Sequence, residues 1–393
     1  MTVKGFWKFS KEEKVRKIRV ENLRASEVIS LLSRNEKLHV DINSAFFSIF
    51  ERYYLRCSEY DSEKRKESAA LSVLERLDHI LDKQQCILYT DGIKTAERMR
   101  AYRKRLDDKL STQERLENKI EYFQKEKATK EDFDRLIDLA TNMFRISDFV
   151  ESSFCIKAKQ EGWDIVRAEG EAEVHIGRIT GAVVVSNDSD MIFYPNVKAV
   201  ISPRPEGCYF IYKKQTVLDD LKLSQEAFTA LGTLSTNDYD DDPFSIVDDD
   251  NLLPTEGYVY AQCFRKKYHL MKNILYPIVT QARSSKDDHS SRARSSNPKN
   301  NAYRSLATSN TKTSRLSRPS MSNHKGSYHH RHVTYNNNEE TALGVRRYIE
   351  LFLQQMNKKT GKHVCFDDYK RSYRVFVLQQ EHLSQYPTKR RHY

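Results

Sequence analysis

The sequence of 393 residues lacks several features that would each indicate a known class of protein. Its six cysteines are widely scattered and form no CxxC pair, which argues against a structural zinc site or a redox dithiol. No apolar run approaches the ~20 residues needed to cross a bilayer, and the N-terminal stretch MTVKGFWKFSKEEKVRK has no apolar signal core. We therefore expect an intracellular protein with reduced, mostly buried thiols and no membrane partner.

Positive charge is unevenly distributed along the chain. The formal net charge is +11, and residues 283–335 contribute +9 of it, with eleven Lys/Arg against two Asp/Glu. This segment is rich in Ser, Asn, Arg and His and has few large apolar groups, a composition that cannot bury enough surface to fold. We predict a disordered basic linker over 283–340, which either binds a polyanion in a salt-sensitive way or serves only as a tether.

Five short apolar runs, each bounded by polar or turn residues, predict a parallel β-sheet. Their nearly continuous apolar character is typical of strands buried on both faces. Helical stretches between them, such as 45–55, indicate an α/β fold with right-handed crossovers and helices flanking the sheet. The stretch 133–154 carries apolar residues at helical spacing and predicts a helix whose apolar stripe faces the core. The five strand-like runs are 38–42, 86–90, 164–168, 182–186 and 198–202.

A very polar helical segment, 94–130, follows the second of these runs. It is either a solvated helix with salt-bridged faces or a projecting helical clamp that grips phosphates. After the linker, 341–356 predicts one amphipathic helix, and a second is expected near 367–382. We divide the chain into an α/β domain over 1–282 with the clamp at about 92–130, the linker over 283–340, and a short helical region over 341–393. The basic residues at the start of the clamp are Lys94, Arg98, Arg100, Arg103, Lys104 and Arg105.

Carboxylates follow the ends of the predicted strands. In open α/β sheets, ligands bind in the crevice beyond the carboxyl ends of the strands, so acids that are distant in sequence can meet there. Converging carboxylates repel one another unless a cation compensates, and Mg²⁺ prefers carboxylate oxygens. Two such ions ~3.5–4 Å apart can activate a water and stabilise the leaving oxygen of a phosphodiester. The seven acids are Asp41, Asp91, Glu171, Glu173, Asp188, Asp190 and Asp238.

Each acidic motif alone has an ordinary structural explanation, but their order resembles that of the XPG/flap-endonuclease family. An isolated DxD is more often a helix cap or a turn than a metal site. The motifs that carry the resemblance cover about residues 1–240 and are MTVKGFWKF, HVDIN, YTDG before a basic helix, AEGEAEV, SNDSDMIFY and LSTNDY. The resemblance implies a PIN-like α/β fold and a nuclear 5′-flap endo/exonuclease of DNA repair that uses two Mg²⁺ ions, with Mn²⁺ as a substitute.

Site residues follow from the resemblance position by position. The first metal is expected at Asp41, Asp91, Glu171 and Glu173, and the second at Asp188, Asp190 and Asp238. Lys94 and one of Arg98, Arg100 or Arg103 look like the basic side chains that steer and polarise the scissile phosphate, and Lys94, Arg98 and Arg103 are the predicted catalytic residues. All six basic residues of the clamp are expected to bind nucleic acid, with DNA favoured over RNA. Glu169 stands where the family usually has proline, and it is not counted as a ligand.

The chain departs from the family pattern at two places, which keeps other functions open. Thr2 stands where the family has a glycine close to the active site, and no GxG turn of a helix-two-turn-helix follows Asp238. The leading hypothesis is a Mg²⁺-dependent structure-specific nuclease, and the alternative is an inactive nucleic-acid-binding or regulatory scaffold on the same fold. A third reading, an unrelated α/β phosphotransferase, is disfavoured because no glycine-rich phosphate loop is present. Six further aspartates would repel a duplex: Asp240, Asp241, Asp242, Asp248, Asp249 and Asp250.

Overall fold

A seven-stranded, mostly parallel sheet lies at the centre of the computed structural model. Its strands are β1 (Ile18–Glu21), β2 (Leu38–Asp41), β3 (Cys86–Thr90), β4 (Ile165–Arg167), β5 (Ala182–Val185), β6 (Val197–Pro203) and β7 (Cys208–Lys213). The order across the sheet is β1-β7-β6-β5-β2-β3-β4. Strands β2 to β6 pair in parallel, and β7 runs antiparallel to both of its neighbours. The predicted α/β class is confirmed, and each of the five predicted runs forms a strand.

The structure describes residues 3–21, 37–125, 129–204, 208–240, 242–244, 258–274 and 339–380. All of them belong to a unit that combines 1–275 with 335–393. The predicted linker 283–340 lies outside the described residues except for its last two, and so does Thr2. Among the described residues, no helix has the length and apolar character that crossing a membrane would require.

Helices pack on the sheet and bury most of the apolar side chains. Phe50, Leu77 and Phe154 belong to one core cluster with Val183 and Val185 of β5. Because side chains alternate along a strand, the fully buried Val184 between them points to the opposite face of the sheet. The helices are Phe6–Glu12, Ile42–Ala45, Phe47–Tyr54, Glu63–Ile80, Met99–Lys125, Lys130–Asn142, Asp148–Gln160, Ala172–Gly177, Lys214–Leu221, Gln225–Leu234, 258–274, Glu339–Thr360 and Lys370–Phe376, with 3₁₀ turns at Lys83–Gln85, Asp190–Phe193 and Phe366–Tyr369.

Two helices, Met99–Lys125 and Lys130–Asn142, form an antiparallel pair that we call the helical arm. The arm continues beyond the predicted 92–130, and the prediction of one core-facing helix over 133–154 is wrong. Phe133 remains 51% exposed and Ile137 61% exposed. The apolar face of the second helix contacts the first helix instead, with the rings of Phe123 and Phe133 5.2 Å apart. Helical spacing alone does not distinguish a helix that faces a core from one that faces a partner helix.

The two C-terminal helices that we predicted are present. Helix Glu339–Thr360 packs against Gln225–Leu234 and buries Val345, Ile349 and Phe352. Helix Lys370–Phe376 follows it and buries Ser372, Tyr373, Val375 and Phe376. The chain therefore returns to the α/β unit after residues 276–334.

Candidate metal centre and substrate cleft

The acids predicted from the strand pattern stand at one edge of the sheet. Asp41 is the last residue of β2, and Asp91 directly follows β3. Asp188 comes three residues after β5. Glu171 immediately precedes helix Ala172–Gly177, which follows β4, and Glu173 lies in the first turn of that helix. Because β5, β2, β3 and β4 are consecutive parallel neighbours, their carboxyl ends bring these side chains together.

A close approach of two loops sets the position of Asp91. The backbone N–H of Gly92 donates to the carbonyl oxygen of Gly170 at 2.6 Å. A Cβ atom on Gly92 would lie 1.9 Å from the carbonyl oxygen of Ala168, so a side chain has no room there. As a result Oδ1 of Asp91 accepts a hydrogen bond from the backbone N–H of Ala172 at 2.9 Å. The Asp-Gly pair is therefore a point of contact between two site loops.

Glu173, Asp188 and Asp190 form a buried acidic triad. Each offers a carboxylate oxygen, and these oxygens lie within 4.8 Å of one another. Both carboxylate oxygens of Asp190 and Oε2 of Glu173 are buried with no hydrogen-bond partner among the described residues. Desolvated carboxylates without donors are costly unless a cation binds them. A hard divalent ion such as Mg²⁺, which takes carboxylate oxygens, fits this donor set.

Burial and mutual repulsion raise the pKa values of the acids at the centre. Burial, followed by the charges of Asp188 and Glu173, holds the pKa of Asp190 well above its ordinary range. Burial also raises the pKa of Asp188 to about 6. Burial and the neighbouring charge of Asp91 raise the pKa of Asp41 to about 8. Near neutral pH, Asp41 and Asp190 of the metal-free protein therefore retain protons that a bound cation would displace.

Arg98 sits at the boundary between the acids and the arm. Its guanidinium lies 2.8 Å from Oε2 of Glu171 and 3.7 Å from Oδ2 of Asp238, and only 11% of its side chain is exposed. Arg105 forms a further ion pair with Asp238.

We predicted Glu173 beside Glu171 and Asp238 beside Asp188. The structure places Glu173 beside Glu171, through the shared hydroxyl of Tyr239, and also in the triad with Asp188 and Asp190. It pairs Asp238 with Arg98 and Arg105. The division of the seven acids between two metals stays a prediction.

Sequence reasoning missed Tyr239 as a residue of the site. Its side chain is 1% exposed, and its hydroxyl lies 3.1 Å from Oε2 of Glu171 and also bonds Glu173. A hydroxyl donor shared by two buried carboxylates reduces their repulsion. Its place directly after Asp238 in LSTNDY was visible in the sequence, but a buried aromatic side chain there is equally typical of a core.

An eighth acid, Glu151, was also missed. It lies on helix Asp148–Gln160 and is 8% exposed, with burial raising its pKa to about 7. The side-chain amide of Asn43 donates to Oε1 of Glu151 at 2.8 Å and lies 3.5 Å from Oδ2 of Asp91. In the sequence, Glu151 directly follows the apolar Val150. The structure shows that Val150 is buried, on a helix that packs against the sheet.

A cavity of about 570 Å³ opens beside the centre, between the acids and the base of the arm. Asp91, Glu151 and Glu171 line its acidic side. Of the predicted basic residues, Lys94, Arg98 and Arg105 line it, together with Lys109 and Arg145, which were not predicted. The ammonium of Lys94 lies 3.8 Å from the centroid of the Tyr102 ring. Arg100, Arg103 and Lys104 are exposed on the arm, outside this lining.

The prediction that aspartates after Asp238 would repel a duplex is wrong for the two that the structure describes. Asp242 is buried in an ion pair with Lys267 and accepts hydrogen bonds from Thr236 and Tyr369. Asp240 accepts a hydrogen bond from the backbone N–H of Ser372 at 2.7 Å. Both charges are used inside the protein rather than presented to a ligand. The other four, Asp241, Asp248, Asp249 and Asp250, lie outside the described residues.

Comparison with known proteins finds similarity only at the level of structure. No family model and no curated protein matches the chain. Flap endonuclease-1 from Methanococcus jannaschii is similar with a TM-score of 0.37 and 17% identity, over 66% of this chain and 77% of that one. The catalytic core of Rad2 in complex with DNA substrate is similar with a TM-score of 0.32 and 14% identity. That likeness covers 60% of this chain and spans 61% of the Rad2 chain.

Proposed function

We propose that the chain is a Mg²⁺-dependent structure-specific nuclease that hydrolyses phosphodiester bonds in flapped or branched DNA. The observation that carries the proposal is the buried triad of Glu173, Asp188 and Asp190, in which both carboxylate oxygens of Asp190 and Oε2 of Glu173 have no hydrogen-bond partner among the described residues. A triad kept only for stability would be expected to have donors, because an uncompensated buried charge costs several kcal/mol, on the order of 3–5. The cavity beside it carries cations that attract phosphates.

The residues of the site divide into two roles. Glu173, Asp188 and Asp190 would hold one divalent ion, and Asp41, Asp91 and Glu171 would contribute to a second, with Asp238 beside them. Bound Mg²⁺ supplies Lewis-acid stabilisation of the phosphate and lowers the pKa of a water, and Mn²⁺ would serve as well. The acids of both groups fix where those ions sit.

The cations of the cleft orient the strand. Lys94 and Arg145 line the cavity opposite the acids and attract a backbone phosphate. Arg98 and Arg105 neutralise Glu171 and Asp238, so the acidic centre repels an approaching phosphate less. The exposed Arg103 and its basic neighbours on the arm bind the flanking strand without reading its sequence. DNA is the preferred partner, and the nucleus is the expected location.

Cleavage assays test this function. We would incubate the full chain with a labelled 5′-flap DNA and, separately, a single-stranded RNA, in Mg²⁺ or in EDTA. The expected result is Mg²⁺-dependent cutting of the flap that Asp188→Ala abolishes while the protein stays folded, because this change relieves repulsion between acids. Asp78→Ala, an exposed acid on Glu63–Ile80, is the matched control and retains activity. A folded protein that binds both nucleic acids and cuts neither would instead support the scaffold.

A further inference from the structure

Ser372 holds the loop that carries Asp238 and Tyr239. Its hydroxyl donates to Oδ1 of Asn237 at 3.0 Å, and its backbone N–H donates to Oδ2 of Asp240 at 2.7 Å. The same oxygen of Asn237 accepts a hydrogen bond from the backbone N–H of Tyr239 at 2.9 Å. Ser372 is fully buried. Both ends of the short loop 237–240 are therefore fixed by a residue more than a hundred positions away in sequence.

Phe376 packs against the tyrosine that bonds the two buried glutamates. Its ring meets the ring of Tyr239 edge to face, with centroids 5.7 Å apart and planes 89° apart. Phe376 is fully buried, so turning either ring away from the other would leave a cavity in the packed interior. The hydroxyl of Tyr239 reaches Glu171 and Glu173 from this position. The aromatic contact therefore sets where the donor points.

The same helix also reaches the base of the helical arm. Nη1 of Arg374 lies 3.7 Å from Oε1 of Glu97, whose side chain is 2% exposed. Glu97 immediately precedes Arg98, the arginine that pairs with Glu171 and Asp238. Immediately before the helix, the hydroxyl of Tyr369 donates a hydrogen bond to Asp242. The segment from Tyr369 to Phe376 thus contacts the site loop at both ends and the start of the arm.

We propose that helix Lys370–Phe376 is a positioning element of the metal centre, a role that rests on the proposed nuclease function. Ser372 and Phe376 touch neither metal nor substrate; they hold Tyr239 and Asp238 so that the acids present their oxygens to a cation. The catalytic unit therefore includes the chain beyond 339 as well as the strand-end acids. This gives the C-terminal region a role that its sequence did not indicate.

Metal affinity is the direct test of this role. We would titrate Mn²⁺ into the full chain by calorimetry for the wild type, Ser372→Ala, Phe376→Leu and Lys370→Ala. Lys370 is an exposed residue of the same helix and serves as the matched control. Ser372→Ala and Phe376→Leu are expected to raise the dissociation constant for Mn²⁺ by about five- to tenfold, the effect of losing about one hydrogen bond. Lys370→Ala should leave it unchanged.

A double-mutant cycle distinguishes positioning from a general loss of stability. If Phe376 acts through the hydroxyl of Tyr239, then Phe376→Leu should weaken Mn²⁺ binding much less in a Tyr239→Phe background than in the wild type. Additive effects would contradict the proposed route. With flap DNA, kcat at fixed Mg²⁺ should fall in Ser372→Ala while KM for DNA stays unchanged.

The outcomes separate this proposal from the proposed function. If the wild type binds Mn²⁺ but cuts no nucleic acid, and Ser372→Ala still weakens binding, the nuclease function fails and the positioning role stands. If the wild type cuts DNA while the folded Ser372→Ala and Phe376→Leu variants match Lys370→Ala in both metal affinity and kcat, the positioning role is overturned. Circular dichroism of each variant establishes that it is folded before either comparison.

Discussion

The hydroxyl of Tyr239 lies 3.1 Å from Oε2 of Glu171, in a position from which it also bonds Glu173. One O–H group donates to one acceptor at a time, so the tyrosine shares a single hydrogen between two buried carboxylates. In the metal-free protein this donor reduces the repulsion that would otherwise act at the centre of the site.

Replacing Tyr239 by phenylalanine should destabilise the metal-free protein by about 1–3 kcal/mol, because a buried carboxylate loses its donor. Saturating Mg²⁺ should recover much of this loss, since the cation then compensates the carboxylate charge. Thermal unfolding with Mg²⁺ and with EDTA measures both quantities. Tyr60→Phe is the control, because Tyr60 is 90% exposed. An equal loss with and without metal would place Tyr239 outside the metal centre.

Two arginines of the predicted clamp should behave differently on substitution. Arg98→Ala removes the partner of buried carboxylates and should lower the free energy of unfolding in EDTA by about 3–5 kcal/mol. Arg103→Ala removes an exposed side chain and should change the free energy of unfolding by less than about 0.5 kcal/mol. The same Arg103 change should weaken DNA binding and reduce the slope of its salt dependence by about one. Urea denaturation and salt titrations measure these effects, and equal behaviour of the two variants would contradict the assignment.

The raised pKa of Asp41 predicts how stability depends on pH. Burial raises this pKa from 3.8 to about 8 in the folded state. Between these values the folded protein keeps a proton that the unfolded chain has released. The stabilisation that comes from this proton on Asp41 is therefore fully present below about pH 4. As the pH rises toward 8, the free energy of unfolding loses it at up to about 1.4 kcal/mol per pH unit.

Comparison with Asp41→Asn isolates that contribution from those of other titrating groups. In EDTA, the free energy of unfolding of the wild type should fall relative to that of Asp41→Asn between about pH 5 and pH 8. Mg²⁺ should flatten the difference, because metal binding favours the ionised carboxylates. Urea denaturation at several pH values measures it. A difference that grows in favour of the wild type with rising pH would have the wrong sign.

Local sequence patterns predicted the strands whose burial follows from their own apolar residues, together with the acids at the ends of those strands. The continuous valines of β5 can only be buried, and the parallel topology then places Asp188 at the crevice beside Asp41. Strand β1, with the sequence IRVE, carries no such signal, because it forms at an edge by pairing with β7. The two strands that were not predicted, β1 and β7, are the ones that pair in antiparallel fashion, where continuous apolar runs are not required.

The rest of the site depends on contacts between distant segments. Nothing near Arg98 indicates that it pairs with Glu171 and Asp238 rather than meeting a phosphate, since the docking of the arm decides this. Ser372 lies in a C-terminal helix with an ordinary amphipathic pattern, and its bonds to Asn237 and Asp240 arise only from the packing of that helix. Motifs therefore identified the acids, while their charge compensation and support required the three-dimensional structure.

Calorimetric titration of Mn²⁺ into the full chain, compared with Asp190→Asn, tests the metal centre most directly. Both carboxylate oxygens of Asp190 are buried with no hydrogen-bond partner among the described residues. Asp190→Asn therefore removes the carboxylate that a cation would bind and replaces a protonated carboxyl with a neutral group of similar shape. We expect the wild type to bind Mn²⁺ with release of protons. We expect Asp190→Asn to bind Mn²⁺ at least about tenfold more weakly while being no less stable in EDTA. No Mn²⁺ binding by the folded wild type, or equal binding by both proteins, would contradict a metal centre at Glu173, Asp188 and Asp190.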